Sequence, residues 1–205
     1  MRFVVVYDAC VLYPAPLRDL LMRLAISGLY AARWTEQIHD EWTRNLLKKR
    51  TELADALPRT VGLMNQAVPD ALVTGHEPLI PALQLPDPDD RHVLAAAIRA
   101  GAQLIITFNL KDFPTDTLAS FGVEAVHPDT FLEQQFELNE GLVLRTVHRH
   151  RASLRKVPRS ISILWRPVAW SSPPTDCRTS SSYFSLFRKL LGRTCTTTSC
   201  PWPFR

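Results

Sequence analysis

No stretch of this chain approaches the roughly 18 consecutive apolar residues that a membrane-spanning helix requires, so a membrane protein is not expected. The N-terminal apolar run Phe3 to Tyr7 closes at Asp8, too short for a signal-peptide core, and no small-residue cleavage pattern follows it. No C-x-x-C pair occurs, and four cysteines in 205 residues make no disulfide framework. Cysteine and histidine spacings that would hold zinc are missing too. These absences together predict a cytoplasmic protein in a reducing compartment. Internal repeats are also lacking.

Acidic residues are nearly absent from one part of the chain. Residues 158–205 hold seven Lys/Arg and a single acid, Asp176, whereas residues 1–157 hold 17 Lys/Arg and 19 Asp/Glu. The net charge of +4 therefore belongs to the tail, and the body is slightly acidic. The tail also has 15 Ser/Thr and 6 Pro in 48 residues, with hydrophobic periodicity only around Tyr183 to Leu191. That composition fits either a poorly ordered segment or the product of a shifted reading frame. The body, with its Ala, Leu and acids, reads as an ordinary globular domain.

Residues 3–7 are β-branched and aromatic without polar alternation, which predicts a short, fully buried strand. Leu17, Leu20, Leu21 and Leu24 recur at helical spacing, and Gly28 supplies a stop. Thr35 is a good N-cap for a second helix with Ile38, Trp42 and Leu46 on one stripe. A third helix is expected from about Thr51, bent or split by Pro58. Residues 71–74 predict a short strand and Glu77 to Leu83 a short helix. Asp89 or Asp90 is expected to cap a helix that carries Val93, Leu94, Ala97 and Ile98 and stops at Gly101. A second buried strand follows at 104–107, then a helix at about 115–121, a strand at 123–126 and a helix opened by Pro128. Alternating strands and helices predict a parallel sheet with helices on its faces and the two most apolar strands at its centre.

The acids fall at informative places on this frame. Asp8 ends the first buried strand, and in open α/β sheets ligands bind at that edge. Glu41 borders the apolar stripe of its helix, three residues after Ile38 and next to Trp42. Asp87, Asp89 and Asp90 crowd one helix start. Capping uses one acid comfortably, and the mutual repulsion of three favours a nearby cation. Asp90 precedes Val93, Leu94 and Ala97 by three, four and seven residues, which puts it on the buried face. Thr107, Asn109 and Asp112 follow the second apolar strand, and all offer oxygen donors suited to a hard cation. An all-oxygen set predicts magnesium or manganese.

The stretches VVVYDACVLYPAPLRDLLMRLA, HDEW, LPDPDDRHVLAAAIRAGA and LIITFNLKDFP carry a family resemblance. The arrangement resembles the PIN domain, a family of metal-dependent ribonucleases that includes VapC-type toxins of bacterial toxin–antitoxin pairs. The resemblance covers roughly residues 1–135. It implies a PIN-like three-layer α/β fold, a central mostly parallel sheet flanked by helices. A helical extension over 136–157 and an irregular tail over 158–205 are expected to follow. By matched position Asp8, Glu41 and Asp90 are the three family acids and metal ligands. Asn109 stands where the family often has Asp, so Asp112 is expected to supply that charge, with Thr107 and Asn109 in support. The implied activity is Mg²⁺- or Mn²⁺-dependent hydrolysis of RNA phosphodiester bonds, and the implied partners are RNA, an antitoxin protein and a second copy of the chain. Arg18, Arg44, Lys48, Arg91 and Lys111 are candidates for phosphate contacts. His92 reads as a packed or solvent-facing side chain and not as a general base.

Two other readings compete. A haloacid-dehalogenase-like phosphatase also places an Asp after its first strand, but it needs a second Asp two residues on, where this chain has Cys10. A PIN-like scaffold that binds RNA or protein without cutting would account for Asn109 and the unusual tail.

Overall fold

Val5, Val6 and Tyr7 are fully buried in β1 (Val4–Tyr7), the strand around which the sheet is built. The structure, a computed structural model, describes residues 3–153, and the expectations for 158–205 lie outside the described residues. After β1 come α1 (Ala9–Leu12), α2 (Ala15–Ile26), β2 (Ala31–Arg33), α3 (Glu36–Leu47) and α4 (Ala56–Ala67). Then follow α5 (Arg91–Ala100), β3 (Leu104–Ile106), α6 (Thr115–Ala119), β4 (Glu124–Val126), α7 (Pro128–Leu138) and α8 (Glu140–Ser153). None of the described helices is long and apolar enough to cross a membrane.

The four strands form one parallel sheet in the order β2-β1-β3-β4. The two apolar strands are central, as the sequence predicts, because only strands covered on both faces and both edges can be apolar throughout. The chain leaves β1 toward β2 on one side and later returns to β3 on the other. Strand order therefore reverses between β1 and β3, and in open α/β sheets ligands bind beyond the carboxyl ends of the strands at such a point. Asp8 and Thr107 are the residues that follow these two strands. The Asp8 amide donates to the Ile106 carbonyl at 3.1 Å, so pairing continues to that end of the sheet.

Local chemistry explains the helix ends. Thr35 Oγ1 accepts from the Ile38 amide at 3.1 Å and caps α3, which then buries Ile38, His39 and Trp42. Thr35→Ala should lower stability by about 1 kcal/mol in a denaturant titration with unchanged slope. Gly101 ends α5 at φ 61°, a left-handed conformation that costs a side chain energy.

Two short elements go unforeseen and two local expectations are corrected. β2 is not foreseen, since three residues are too few for a periodicity. α1 is unforeseen for the same reason. Residues 71–74 form no strand and make only a bridge, Trp34 to Leu72. Asp70 at φ 62° and Gly75 at φ 72° turn the chain on either side and leave no room for a ladder. Pro58 splits nothing. It sits in the first turn of α4, where its missing N–H has no intrahelical partner, and the break falls earlier, between a 3-10 turn at Thr51–Leu53 and Ala56.

The core joins aromatic side chains across elements. Trp34, Trp42, Tyr7, Tyr30, Phe113 and Phe131 are buried, and the Tyr7 and Tyr30 hydroxyls share a hydrogen bond of 2.7 Å. At the carboxyl end of the described residues α8 is tied to α2. Arg23 Nη2 donates to Ser153 Oγ at 3.0 Å, and His150 Nε2 lies 3.3 Å from Asp19 Oδ2.

Candidate metal centre

Asp8 is only 4% exposed, where a carboxylate needs specific partners to remain. Its Oδ2 accepts from Thr107 Oγ1 at 2.6 Å and from Cys10 Sγ at 3.0 Å. Burial raises the Asp8 pKa, those two donors and the Ala9 amide pull it down, and the nearby Glu41 carboxylate raises it further. Cys10 is held as a neutral thiol, because burial and the Asp8 charge push its pKa well up. Its sulfur also accepts from the Phe108 amide at 3.2 Å.

The loop after β3 is folded around the Thr107 hydroxyl. That oxygen donates to Asp8 and accepts from the Asn109 amide at 2.9 Å. Asn109 Nδ2 in turn donates to Asp112 Oδ2, which sits in a 3-10 turn over Leu110–Asp112. Asn109 thus fixes the carboxylate that stands closest to it in sequence.

Asp90 faces this loop from the start of α5. Ligand atoms of Asp87, Asp90 and Asp112 all lie within 4.8 Å of one another. The Asp90 pKa is pushed up to about 7, first by burial and then by the charges of Asp8, Asp87, Asp112 and Glu41. Its Oδ2 is buried and has no hydrogen-bond partner. Glu41 joins from α3, with Oε2 3.3 Å from His92 Nε2. Among the described residues no Lys or Arg forms an ion pair with any of these five carboxylates.

Asp8, Glu41, Asp90, Asp112, Thr107 and Asn109, singled out from the sequence, are thus linked by hydrogen bonds or by mutual charge. The tightest trio is a different one from Asp8, Glu41 and Asp90, because it includes Asp87. Neither Asp89 nor Asp90 caps α5 with its side chain. Asp87 Oδ1 instead accepts from the Asp89 amide at 2.9 Å and caps the 3-10 turn Pro88–Asp90. That turn is what carries Asp90 toward the cluster. The crowding of three acids in four positions is the signal that could have included Asp87. Nothing in the sequence signals that Cys10 serves Asp8 or that His92 pairs with Glu41.

The five candidate phosphate contacts divide. Arg18 does not fit the role, because its guanidinium is committed within the fold. Nη1 donates to the Leu12 carbonyl at 2.5 Å, the group lies 4.5 Å over the Trp42 ring, and burial lowers its pKa to about 10. Arg91 has a buried, unpartnered Nε. Lys48 is exposed and donates to Asn45 Oδ1 at 3.1 Å, and Arg44 and Lys111 are exposed.

Five carboxylates with a hydroxyl and an amide among them form an oxygen-only donor set, the chemistry that Mg²⁺ and Mn²⁺ prefer. An orphaned buried carboxylate oxygen is the feature a cation would satisfy, so these residues fit a divalent ion.

A parallel α/β sheet with an acidic crevice at its switch point defines the class. The PIN domain matches residues 4–111, and the chain belongs to that family. The VapC50 C-terminal domain matches residues 128–164, which spans α7 and α8 and runs past residue 158, where the composition changes. The chain is also similar to a protein of Mycobacterium tuberculosis (strain ATCC 25618 / H37Rv) named "Putative ribonuclease VapC50", with 55% identity over 51 residues. That stretch is 25% of this chain and 30% of the relative, so under a third of the relative's length is covered. No solved structure matches the chain.

Proposed function

We propose that this chain is a divalent-metal-dependent ribonuclease and the toxin of a toxin–antitoxin pair. The observation that carries the reading is Asp90: a buried, unpartnered carboxylate oxygen amid four other acids with which no Lys or Arg among the described residues forms an ion pair. A fold gains nothing from such a cluster unless a ligand relieves its repulsion. Membership of the PIN family and the ribonuclease named among its relatives point to RNA as the substrate.

Asp87, Asp90 and Asp112 would hold the ion, with Asp8 and Glu41 completing the negative charge around it. A bound Mg²⁺ or Mn²⁺ would supply Lewis acidity toward the phosphate and lower the pKa of its water toward neutrality. The residues of the chain set the conditions for that chemistry. Thr107 and Cys10 keep one oxygen of Asp8 fixed, Asn109 keeps Asp112 in place, and the acids repel phosphate until their charge is neutralised. Exposed Arg44, Lys48 and Lys111 would meet the RNA backbone. A cytoplasmic setting, an antitoxin that covers the acidic crevice and a second copy of the chain are the remaining parts of the proposal.

The test is direct. The purified chain should cleave single-stranded RNA in Mn²⁺ or Mg²⁺ and stop on addition of EDTA, and co-expression with an antitoxin gene should block cleavage. Failure to cleave any RNA in either ion, or cleavage indifferent to EDTA, would refute the reading. Asp112→Asn should reduce cleavage by more than the roughly 100-fold that marks loss of an outer-shell partner, because it removes a charge placed against the ion itself. Full activity there would remove Asp112 from the site.

A further inference from the structure

Two buried histidines near α3 are wired differently, and the contrast is informative. His39 is a satisfied core side chain: Nδ1 accepts from Trp42 Nε1 at 3.1 Å, and Nε2 meets Asn65 Oδ1 at 3.1 Å. His92 is 3% exposed, and its Nδ1 is buried with no partner. Its one hydrogen bond among the described residues joins Nε2 to Glu41 Oε2 across 51 positions of sequence, from α5 to α3. A buried ring that leaves one nitrogen unsatisfied and aims the other at a carboxylate is poorly explained by packing alone.

Glu41 needs such a partner. Its side chain is 31% exposed on a helix surface, so a flexible carboxylate there has solvent-facing rotamers to choose from. It nevertheless lies near enough to Asp8 and Asp90 to disfavour their ionisation. His76, also 3% exposed, lies near His92, but neither of its ring nitrogens is hydrogen-bonded to it, and its Nδ1 lies 3.7 Å from Glu77 Oε1.

We propose that His92 is a positioning residue: with its proton on Nε2, the ring donates to Glu41 Oε2 and holds that carboxylate in the acidic cluster. The ring does not touch the ion or the RNA. It restricts Glu41 as outer-shell hydrogen bonds restrict metal ligands elsewhere, and it rests on the reading of the cluster as a cation site. Asp90 and His92 lie two residues apart near the start of α5, so the same turn supplies both a carboxylate of the cluster and the support for another.

The experiment uses the full chain, Mn²⁺ binding by calorimetry and RNA cleavage across a Mn²⁺ series. His92→Leu should weaken Mn²⁺ binding by roughly 10–100-fold and raise the ion concentration for half-maximal cleavage equally, with kcat recovering at saturation. His92→Gln, whose amide can still donate, should recover most of the affinity. Adding His92→Leu to Glu41→Gln should weaken binding no further. Unchanged Mn²⁺ affinity in His92→Leu, or effects that multiply in the double variant, would overturn the proposal. Should His92→Leu fail to fold, the imidazole nitrogen spectrum of the metal-free wild type and Glu41→Gln decides. A shift of the His92 Nε2 resonance is expected, and an unmoved resonance refutes the pairing. Absence of Mn²⁺ uptake by the wild type would refute the cation-site reading but not the pairing, which the nitrogen spectrum tests separately.

Discussion

Asp90→Asn should abolish metal-dependent RNA cleavage and at the same time make the metal-free protein harder to unfold. Asp90 sits at the point where every other acid of the crevice is felt, and its pKa is pushed up to about 7. A folded-state pKa raised above the ordinary 3.8 means that folding favours the protonated form. The stability associated with that proton is intact below about pH 4 and is lost as the pH rises to about 7. Asparagine loses nothing over that window. The metal-free variant should therefore melt alongside the wild type near pH 4 and higher than it at pH 8, by on the order of a few degrees. Saturating Mn²⁺ should reverse the order, since an ion that binds the native state stabilises it by mass action. Scanning calorimetry at both pH values, with Mn²⁺ and with EDTA, reads all four conditions. A variant that cuts RNA as well as the wild type would overturn the assignment of Asp90, and equal melting at pH 8 would contradict the electrostatic account of it.

Asp8→Asn should have an equally large effect on cleavage by a different route. Asp8 Oδ2 is the acceptor for two neutral donors, Thr107 Oγ1 and Cys10 Sγ. An amide in its place removes a negative charge and presents either its oxygen or its NH₂ to those donors, only one of which preserves the bonds. Cleavage should fall by more than the roughly 100-fold that marks the loss of an outer-shell partner. Far-UV circular dichroism should be unchanged, because the β1–β3 backbone pairing at this edge uses the Asp8 amide and not its side chain. Measurable cleavage within tenfold of the wild type would exclude Asp8 from the chemistry. An unfolded variant would show that the Thr107 and Cys10 bonds hold the sheet edge together.

Together the two variants separate contributions that a single loss of activity would merge. Asp90 is strained by its neighbours when the crevice is empty, whereas Asp8 is partly compensated by hydrogen bonds from its own loop and from the loop after β3. Relief of repulsion should therefore be the larger stability effect at Asp90. The lost hydrogen bonds at Asp8 offset the corresponding gain there.

Much of this was legible in order along the chain. The run Val4 to Tyr7 and the run Leu104 to Ile106 have no polar residue to place at an edge, so a parallel, centrally buried pair followed from composition alone. Thr35, Gly101 and Pro128 announced helix ends because each carries the chemistry of its position: a hydroxyl acceptor, freedom at positive φ, and a missing N–H. Short elements were not legible. Three residues at Ala31–Arg33 hold too little pattern to distinguish a strand from a loop, and the pairing to β1 makes them one. Pro58 was misread because its effect depends on where the helix begins, which neighbouring contacts decide.

How the acids come together was half legible. Sequence alone determined that Asp8 and Thr107 end apolar strands, that three acids crowd one helix start, and that Glu41 borders a buried stripe, since periodicity and chain connectivity are local properties. Only the tertiary structure decided that Asp87, Asp90 and Asp112 form the tight group, that Arg18 is spent on Trp42 and the Leu12 carbonyl, that Cys10 turns back onto Asp8 two residues away, and that His92 serves a distant carboxylate. The pairings between elements join α2 to α3, α3 to α5, and the start of α5 to the loop after β3. Hydrogen bonds and Coulomb interactions act over ångströms in space, whatever the separation along the chain, and a sequence pattern carries no record of that distance.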